Sequence, residues 1–165
     1  MEKLIKVNLL GPMYLQKLVF QDMIDNSGHI INISSLAGLL PGNRMSSYAA
    51  SKFGVRGLTQ AVQLELDLLE IKNVKLTCIF PHVIKTGMFN NVKAKFPWLL
   101  PLLEPEWVAD QILIATQEER DQVILPKICV PLMTPEHLMS LRTAREGSKL
   151  MGSSLMDTFV KIRPE

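Results

Sequence analysis

Apolar residues recur at helical spacing over residues 2–25, at Leu4, Ile5, Leu9, Met13, Leu15, Leu18, Val19 and Met23. The run Asn26-Ser27-Gly28 then supplies a helix stop. Residues 29–34 (His-Ile-Ile-Asn-Ile-Ser) form a short β-branched stretch that reads as a buried strand, and residues 35–43 form a loop with two glycines and a proline. A second long helix is expected over residues 46–70, a turn at 71–73, and a strand over 74–80 stopped by Pro81. Residues 81–105 are irregular and rich in proline and aromatics. A third helix follows over 106–119, opened by Pro105, and a third strand lies over 122–126. The tail from 135 to 160 has helical character, broken near Gly152-Ser153-Ser154.

Helices alternating with short apolar strands predict parallel pairing and right-handed crossovers, hence an α/β fold. No internal repeat or low-complexity linker divides the chain. The expectation is one domain over residues 1–165, with a catalytic part at 1–126 and a C-terminal extension at 127–165.

Composition narrows the function classes. The chain has 165 residues, 47% hydrophobic and 21% charged, which are the values of a globular domain with a real core. Its formal net charge of +2 is dispersed among acidic residues, which argues against nucleic acid as a partner. Cys78 and Cys129 sit in separate apolar segments and read as reduced core residues. His29, His82 and His137 lack metal-ligand spacing, so no metal is expected. No signal peptide is expected, and no apolar window reaches the ~18 residues of a membrane span. The apolar runs at 96–103 and 123–133 are short and interrupted by proline, fit for a pocket wall or for touching a membrane surface.

The candidate chemistry lies between residues 34 and 54. Tyr48 and Lys52 are four residues apart on the second long helix, so phenol and ammonium share one face. A phenol is a poor acid or base at neutral pH, and a neighbouring ammonium is expected to lower its pKa towards working range. Ser35 falls at the carboxyl edge of the preceding strand, where open α/β sheets bind ligands, and its hydroxyl could bond a substrate oxygen beside the tyrosine. A lone Tyr-x-x-x-Lys also arises by chance in ordinary helices. Here a strand, a serine and a small-residue loop lead into it, and that context favours a proton-transfer site.

These motifs resemble the short-chain dehydrogenase/reductase family. Val7-Asn8-Leu9-Leu10-Gly11 looks like the family's helix asparagine motif, and 33–38 (Ile-Ser-Ser-Leu-Ala-Gly) like its serine motif. Tyr48, Ser51 and Lys52 match Tyr-x-x-Ser-Lys, and Pro81-His82-Val83-Ile84-Lys85-Thr86 corresponds to Pro-Gly-x-Val-x-Thr. The resemblance implies a Rossmann-like, doubly wound parallel sheet and a nicotinamide cofactor, NAD or NADP. It implies catalytic roles for Asn8, Ser35, Tyr48 and Lys52: tyrosine as general acid/base, serine orienting the substrate oxygen, and asparagine holding a relay water with the lysine. Cofactor contacts would fall on Tyr48, Lys52, Pro81, Val83, Ile84 and Thr86. Residues 84–89 and the apolar loop behind them resemble the epidermal retinol dehydrogenases and the 17-beta-hydroxysteroid dehydrogenases of types 11 and 13. That points to an apolar alcohol, ketone or aldehyde as substrate, contacted by Ser35, Phe89 and Trp98. Phe96, Leu99, Leu100, Leu102 and Leu103 would complete an apolar lid, unless they are ordinary core and surface cover.

Two departures from the family pattern stand out. His82 occupies the usual glycine position, where a side chain could crowd a cofactor. The glycine-rich strand-turn-helix that grips the cofactor pyrophosphate in the family has no counterpart here, so the fold is expected to be truncated, without its dinucleotide-binding half. Two readings follow. One is an oxidoreductase acting on a retinoid, steroid or similar lipid. The other is a truncated, non-catalytic chain acting through dimerisation. The resemblance also implies a homodimer through helices 2–25 and 46–70, possible peripheral membrane association, and an endoplasmic reticulum or lipid-droplet setting. A chain with no anchor of its own would instead be cytoplasmic.

Overall fold

The computed structural model describes residues 1–86 and 101–133. The N-terminal helix runs as α1 (Glu2–Ile5), a π-helical segment (Lys6–Leu10) and α2 (Gly11–Asn26). The π segment has a local cause. Pro12 has no N–H for the Asn8 carbonyl four residues back, and its ring clashes there, so the helix cannot continue as a regular α-helix. The Gly11 N–H instead reaches back five residues to the Lys6 carbonyl. Asn8 thus sits where the helix is locally wide.

Strand β1 (Gly28–Ile33) leads to a 3-10 turn (Leu36–Gly38) and then to α3 (Ser46–Leu68). Strand β2 (Val74–Pro81), α4 (Pro105–Gln117) and β3 (Gln122–Leu125) follow, then a second 3-10 turn (Lys127–Cys129) and α5 (Val130–Met133). The strands form one parallel sheet in the order β1-β2-β3, with Ile30 opposite Leu76 and Ile79 opposite Val123. β2 lies between the other two and has helices on both faces, so every residue except Lys75 is buried.

Alternation along the strands sends side chains to two cores. Ile30, Val74 and Leu76 pack with Leu66 and Val62 of α3 and with Phe20, Met23 and Ile24 of α2. Ile79, Val123 and Leu125 pack on the other face with Val108, Ile112 and Ala115 of α4. The sheet is therefore doubly wound. The expected uniform crossover hand is corrected here: α3 and α4 join strands in the same direction along the sheet but lie on opposite faces, so the two crossovers have opposite hand. Alternating sequence places a strand's faces but carries no information on which face the next helix will take.

Of the two readings offered for Leu103, apolar lid or ordinary core, the structure takes the second. Rather than forming part of a lid, Leu103 is 4% exposed and belongs to the α4 core. Its backbone ties residues 101–104 to the end of β2, its N–H donating to the Val83 carbonyl at 2.9 Å and its carbonyl accepting from Lys85 at 2.8 Å. A buried polar chain crosses the α2/α3 face of the sheet. The Gln16 side-chain amide donates to Asn32 (2.9 Å), Asn32 donates to Thr59 (2.9 Å), and Thr59 donates to the Val55 carbonyl (2.8 Å). This pins α2, β1 and α3 into one unit beneath the site.

Candidate active site

Strand alternation explains how two adjacent serines part company. Ile30, Asn32 and Ser34 point to the α3 face, and Ser34, 1% exposed, donates to the Lys52 carbonyl at 2.8 Å. Gly38 permits this close approach, since a Cβ there would lie 2.7 Å from the Lys52 carbonyl oxygen and against the Ser34 hydroxyl. Ser35 leaves the strand. Its Oγ accepts from the Ala37 N–H at 3.2 Å, starting the 3-10 turn, and its hydroxyl lies beside the Tyr48 phenol, close enough to act on its pKa.

On α3, Tyr48 and Lys52 lie on one face, with the ammonium 5.7 Å from the centre of the phenol ring. Lys52 Nζ donates to the Ile33 carbonyl at 2.9 Å, at the last residue of β1. Ser51, fully buried on the same turn, donates to the Tyr48 carbonyl at 2.7 Å and accepts from the Asn8 side-chain amide at 3.2 Å. The helix carrying Asn8 is thereby tied to the backbone that carries Tyr48. Gly54 allows the approach, as a Cβ there would meet Leu9 at 2.7 Å.

Ser35, Tyr48 and Lys52 line a pocket of about 200 Å³ at the carboxyl ends of the strands. Pro81, Val83, Ile84 and Thr86 line it too, so all six residues marked in sequence as cofactor contacts meet there, and His82 joins them. Asn8 is not in this pocket. It faces a second groove of about 560 Å³ along α2 and β1, and Lys52 lines both. Phe89 and Trp98, the expected substrate contacts, lie outside the described residues. Sequence reading missed the Ile33 carbonyl and Met45 as parts of the site. The strand-end position of Ile33 signalled the first, and nothing in the sequence signalled the second.

The electrostatics differ from the simple expectation that the lysine lowers the tyrosine pKa. Burial pushes the Tyr48 phenol above its ordinary value, and the hydrogen bond from Ser35 only partly opposes this. Burial likewise pulls the Lys52 ammonium below its usual range. Cys78 and Cys129 are free, buried thiols, each pushed up to about 11 by burial, which leaves them inert at neutral pH. Among the described residues no group of His, Cys, Asp and Glu is arranged to hold a metal.

An open parallel α/β sheet with a Ser–Tyr–Lys cluster at its carboxyl edge defines the class of protein. The chain belongs to the short chain dehydrogenase family, whose sequence profile matches residues 1–96. It is 38% identical over 155 residues to short-chain dehydrogenase/reductase family 16C member 6 of Bos taurus, covering 93% of this chain and 49% of that protein. It is 35% identical over 162 residues to human epidermal retinol dehydrogenase 2, covering 97% of this chain and 52% of that protein. Human estradiol 17-beta-dehydrogenase 11 is 31% identical over 142 residues, covering 86% and 46% respectively. The chain spans about half the length of the curated relatives it matches. Among solved structures, a short chain dehydrogenase from Burkholderia cenocepacia in complex with NADP aligns with a TM-score of 0.70 at 23% identity, covering 87% of this chain and 56% of that one. The likeness is one of fold.

Proposed function

We propose that this chain carries the proton-transfer part of a nicotinamide-dependent oxidoreductase that interconverts an apolar alcohol and its carbonyl compound, of retinoid, steroid or similar lipid type. The observation that carries this reading is the meeting of the Ser35 hydroxyl, the Tyr48 phenol and the Lys52 ammonium in one pocket walled by Leu36, Ala37, Met45, Val83 and Ile84. The names of the relatives, retinol and estradiol dehydrogenases, support the substrate class.

The residues present fit the ring end of such a cofactor. The pocket holds the Tyr48 and Ser35 hydroxyls, the Lys52 ammonium and a buried ring nitrogen of His82 with no partner among the described residues. Tyr48, Lys52, Pro81, Val83, Ile84 and Thr86 would hold it, and when bound it would supply or accept the hydride. The chain's own residues move the proton. With its pKa raised, Tyr48 is protonated at neutral pH and is set to donate to a carbonyl oxygen that Ser35 orients. The phenolate left behind is stabilised by Lys52. Lys52 also faces the groove of Asn8, from which a water held with Asn8 can return the proton.

The test is turnover of a retinaldehyde or ketosteroid with NADH or NADPH. Tyr48→Phe lowers it by about 10²–10⁴-fold while nicotinamide binding is retained. Full activity in that variant removes the role assigned to Tyr48.

A second reading is a non-catalytic chain that acts by pairing with a second copy. Val7, Tyr14 and Leu18 of the N-terminal helix are 64%, 64% and 78% exposed, and Phe53, Leu64 and Leu68 form an outward stripe on α3 with Gly57, which opens on free space. Under either reading these faces pair, and Leu18→Glu with Leu64→Glu converts a dimer to a monomer in sedimentation. A monomeric wild-type chain removes the pairing. The same proposal places the protein at the endoplasmic reticulum membrane or lipid droplets, testable by fractionation. No helix among the described residues is long and apolar enough to cross a membrane.

A further inference from the structure

Ser51 is fully buried on α3, one residue before Lys52, and lines neither the pocket of Tyr48 nor the groove of Asn8. Its Oγ lies 2.7 Å from the Tyr48 carbonyl oxygen. Two oxygens at that distance need a proton between them, and only the hydroxyl has one to give. Ser51 therefore has nothing left to donate to Asn8. The 3.2 Å contact between the Asn8 Nδ2 and the Ser51 Oγ must run from amide to hydroxyl.

That polarity fixes which way round the Asn8 amide sits. With Nδ2 on buried Ser51, Oδ1 is the end left for the groove that Asn8 shares with Lys52. Oδ1 has no hydrogen bond among the described residues and, unlike the Gln16 Oε1, it is not closed off from solvent. An ammonium can only donate, so a water beside Lys52 accepts from it and has its own protons to pass on. An acceptor across the groove completes that chain, whereas an NH2 in its place would set donor against donor.

We propose that Ser51 is a positioning residue: by holding the Asn8 amide from behind, it turns Oδ1 and not Nδ2 towards the water that links Asn8 to Lys52. The inference rests on the proposed function for the use of that water in returning the proton. Ser51 meets neither substrate nor cofactor and acts through Asn8.

The experiment compares two backgrounds, wild type and Asn8→Asp, each with and without Ser51→Ala, in the 165-residue chain labelled with 15N-asparagine and 13C-lysine. An amide has two different ends and a carboxylate does not. In the wild-type background Ser51→Ala lets the amide turn, so the Lys52 13Cε signal, assigned with Lys52→Met, titrates at lower pH. Turnover falls about fivefold, the effect of one neutral hydrogen bond. In the Asn8→Asp background an acceptor faces the groove whichever way the side chain turns, and Ser51→Ala changes neither quantity. A merely structural tie between the helices would respond alike in both. The Asn32 side-chain amide, bonded to Thr59 in the neighbouring buried chain, reports that the fold is kept. Should Ser51→Ala lose that signal, Ser51→Cys, whose sulfur is a weak acceptor, gives the same comparison with a smaller effect. Equal responses in the two backgrounds, or a Lys52 titration that moves in neither, overturn the role of Ser51 and leave the proposed function standing. A chain whose Lys52 responds as expected but which reduces neither retinaldehyde nor a ketosteroid with NADH or NADPH removes the proposed function, and the use of the water falls with it.

Discussion

The two ends of the sheet handle half-buried histidines in opposite ways. At the amino ends of the strands, His29 Nε2 meets the Thr77 hydroxyl at 2.7 Å, and Thr77 donates its only proton to the Arg120 carbonyl at 2.6 Å. Nε2 must then be the donor, and each group in the chain of contacts is satisfied. Beside it, Lys75 and Glu119 form an ion pair at 3.1 Å across the same edge. At the carboxyl ends, the His82 Nδ1 is buried without a partner among the described residues, next to a tyrosine and a lysine that burial holds away from their usual pKa values. Buried polarity at one end ties strands together. At the other end it is left open, as expected where a ligand completes the bonding.

The sharpest way to break the carboxyl end is Gly38→Ala. The added Cβ meets the Lys52 carbonyl backbone, and the 3-10 turn must move off α3, costing about 3 kcal/mol. Chemical denaturation measures the loss, and the Ser35–Tyr48 bond should go with it. At the closed end, Thr77→Val keeps the shape but strands the His29 N–H and the Arg120 carbonyl, at about 2 kcal/mol. A neutral Thr77→Val would show that the amino-end cluster is not structural. His82→Leu should behave differently, costing under about 1 kcal/mol or raising stability, because it removes a buried ring nitrogen that has no partner among the described residues.

The pH dependence joins both ends. Burial lowers the pKa of His29 and of His82 below the unfolded value of 6.5, so the unfolded chain takes up protons that the folded chain resists. Stability is full above that value and declines as the pH falls below it towards the depressed folded values. A melting temperature that did not fall between about pH 7.5 and pH 5 would contradict this, and His82→Leu should flatten part of the slope. The smallest effect is at the phenol. Ser35→Ala in a Tyr14→Phe background should raise the Tyr48 pKa further, because the Ser35 bond is the influence that lowers it. Phenolate absorbance reads this directly, and an unchanged titration would separate Ser35 from Tyr48.

Much of this arrangement was legible in the chain itself. Apolar periodicity marked every helix and strand of the described sheet, because periods of two and of 3.6 residues follow from local backbone geometry. The spacing of Tyr48 and Lys52 put both on one helix face for the same reason, and the alternation Ile30, Asn32, Ser34 foreshadowed which serine would turn inward. What local pattern could not hold was decided by packing. The opposite hands of the two crossovers depend on which face α4 takes, and the π segment at Asn8 on how a helix accommodates Pro12. Leu103 went to the core and not to a lid, because its backbone pairs with Val83 and Lys85. The raised pKa of Tyr48 and the unpartnered ring nitrogen of His82 belong to the same class. A sequence shows that an ammonium lies four residues from a phenol, but how much water reaches either is set by the walls that other elements build around them, and desolvation there is the largest influence on both groups.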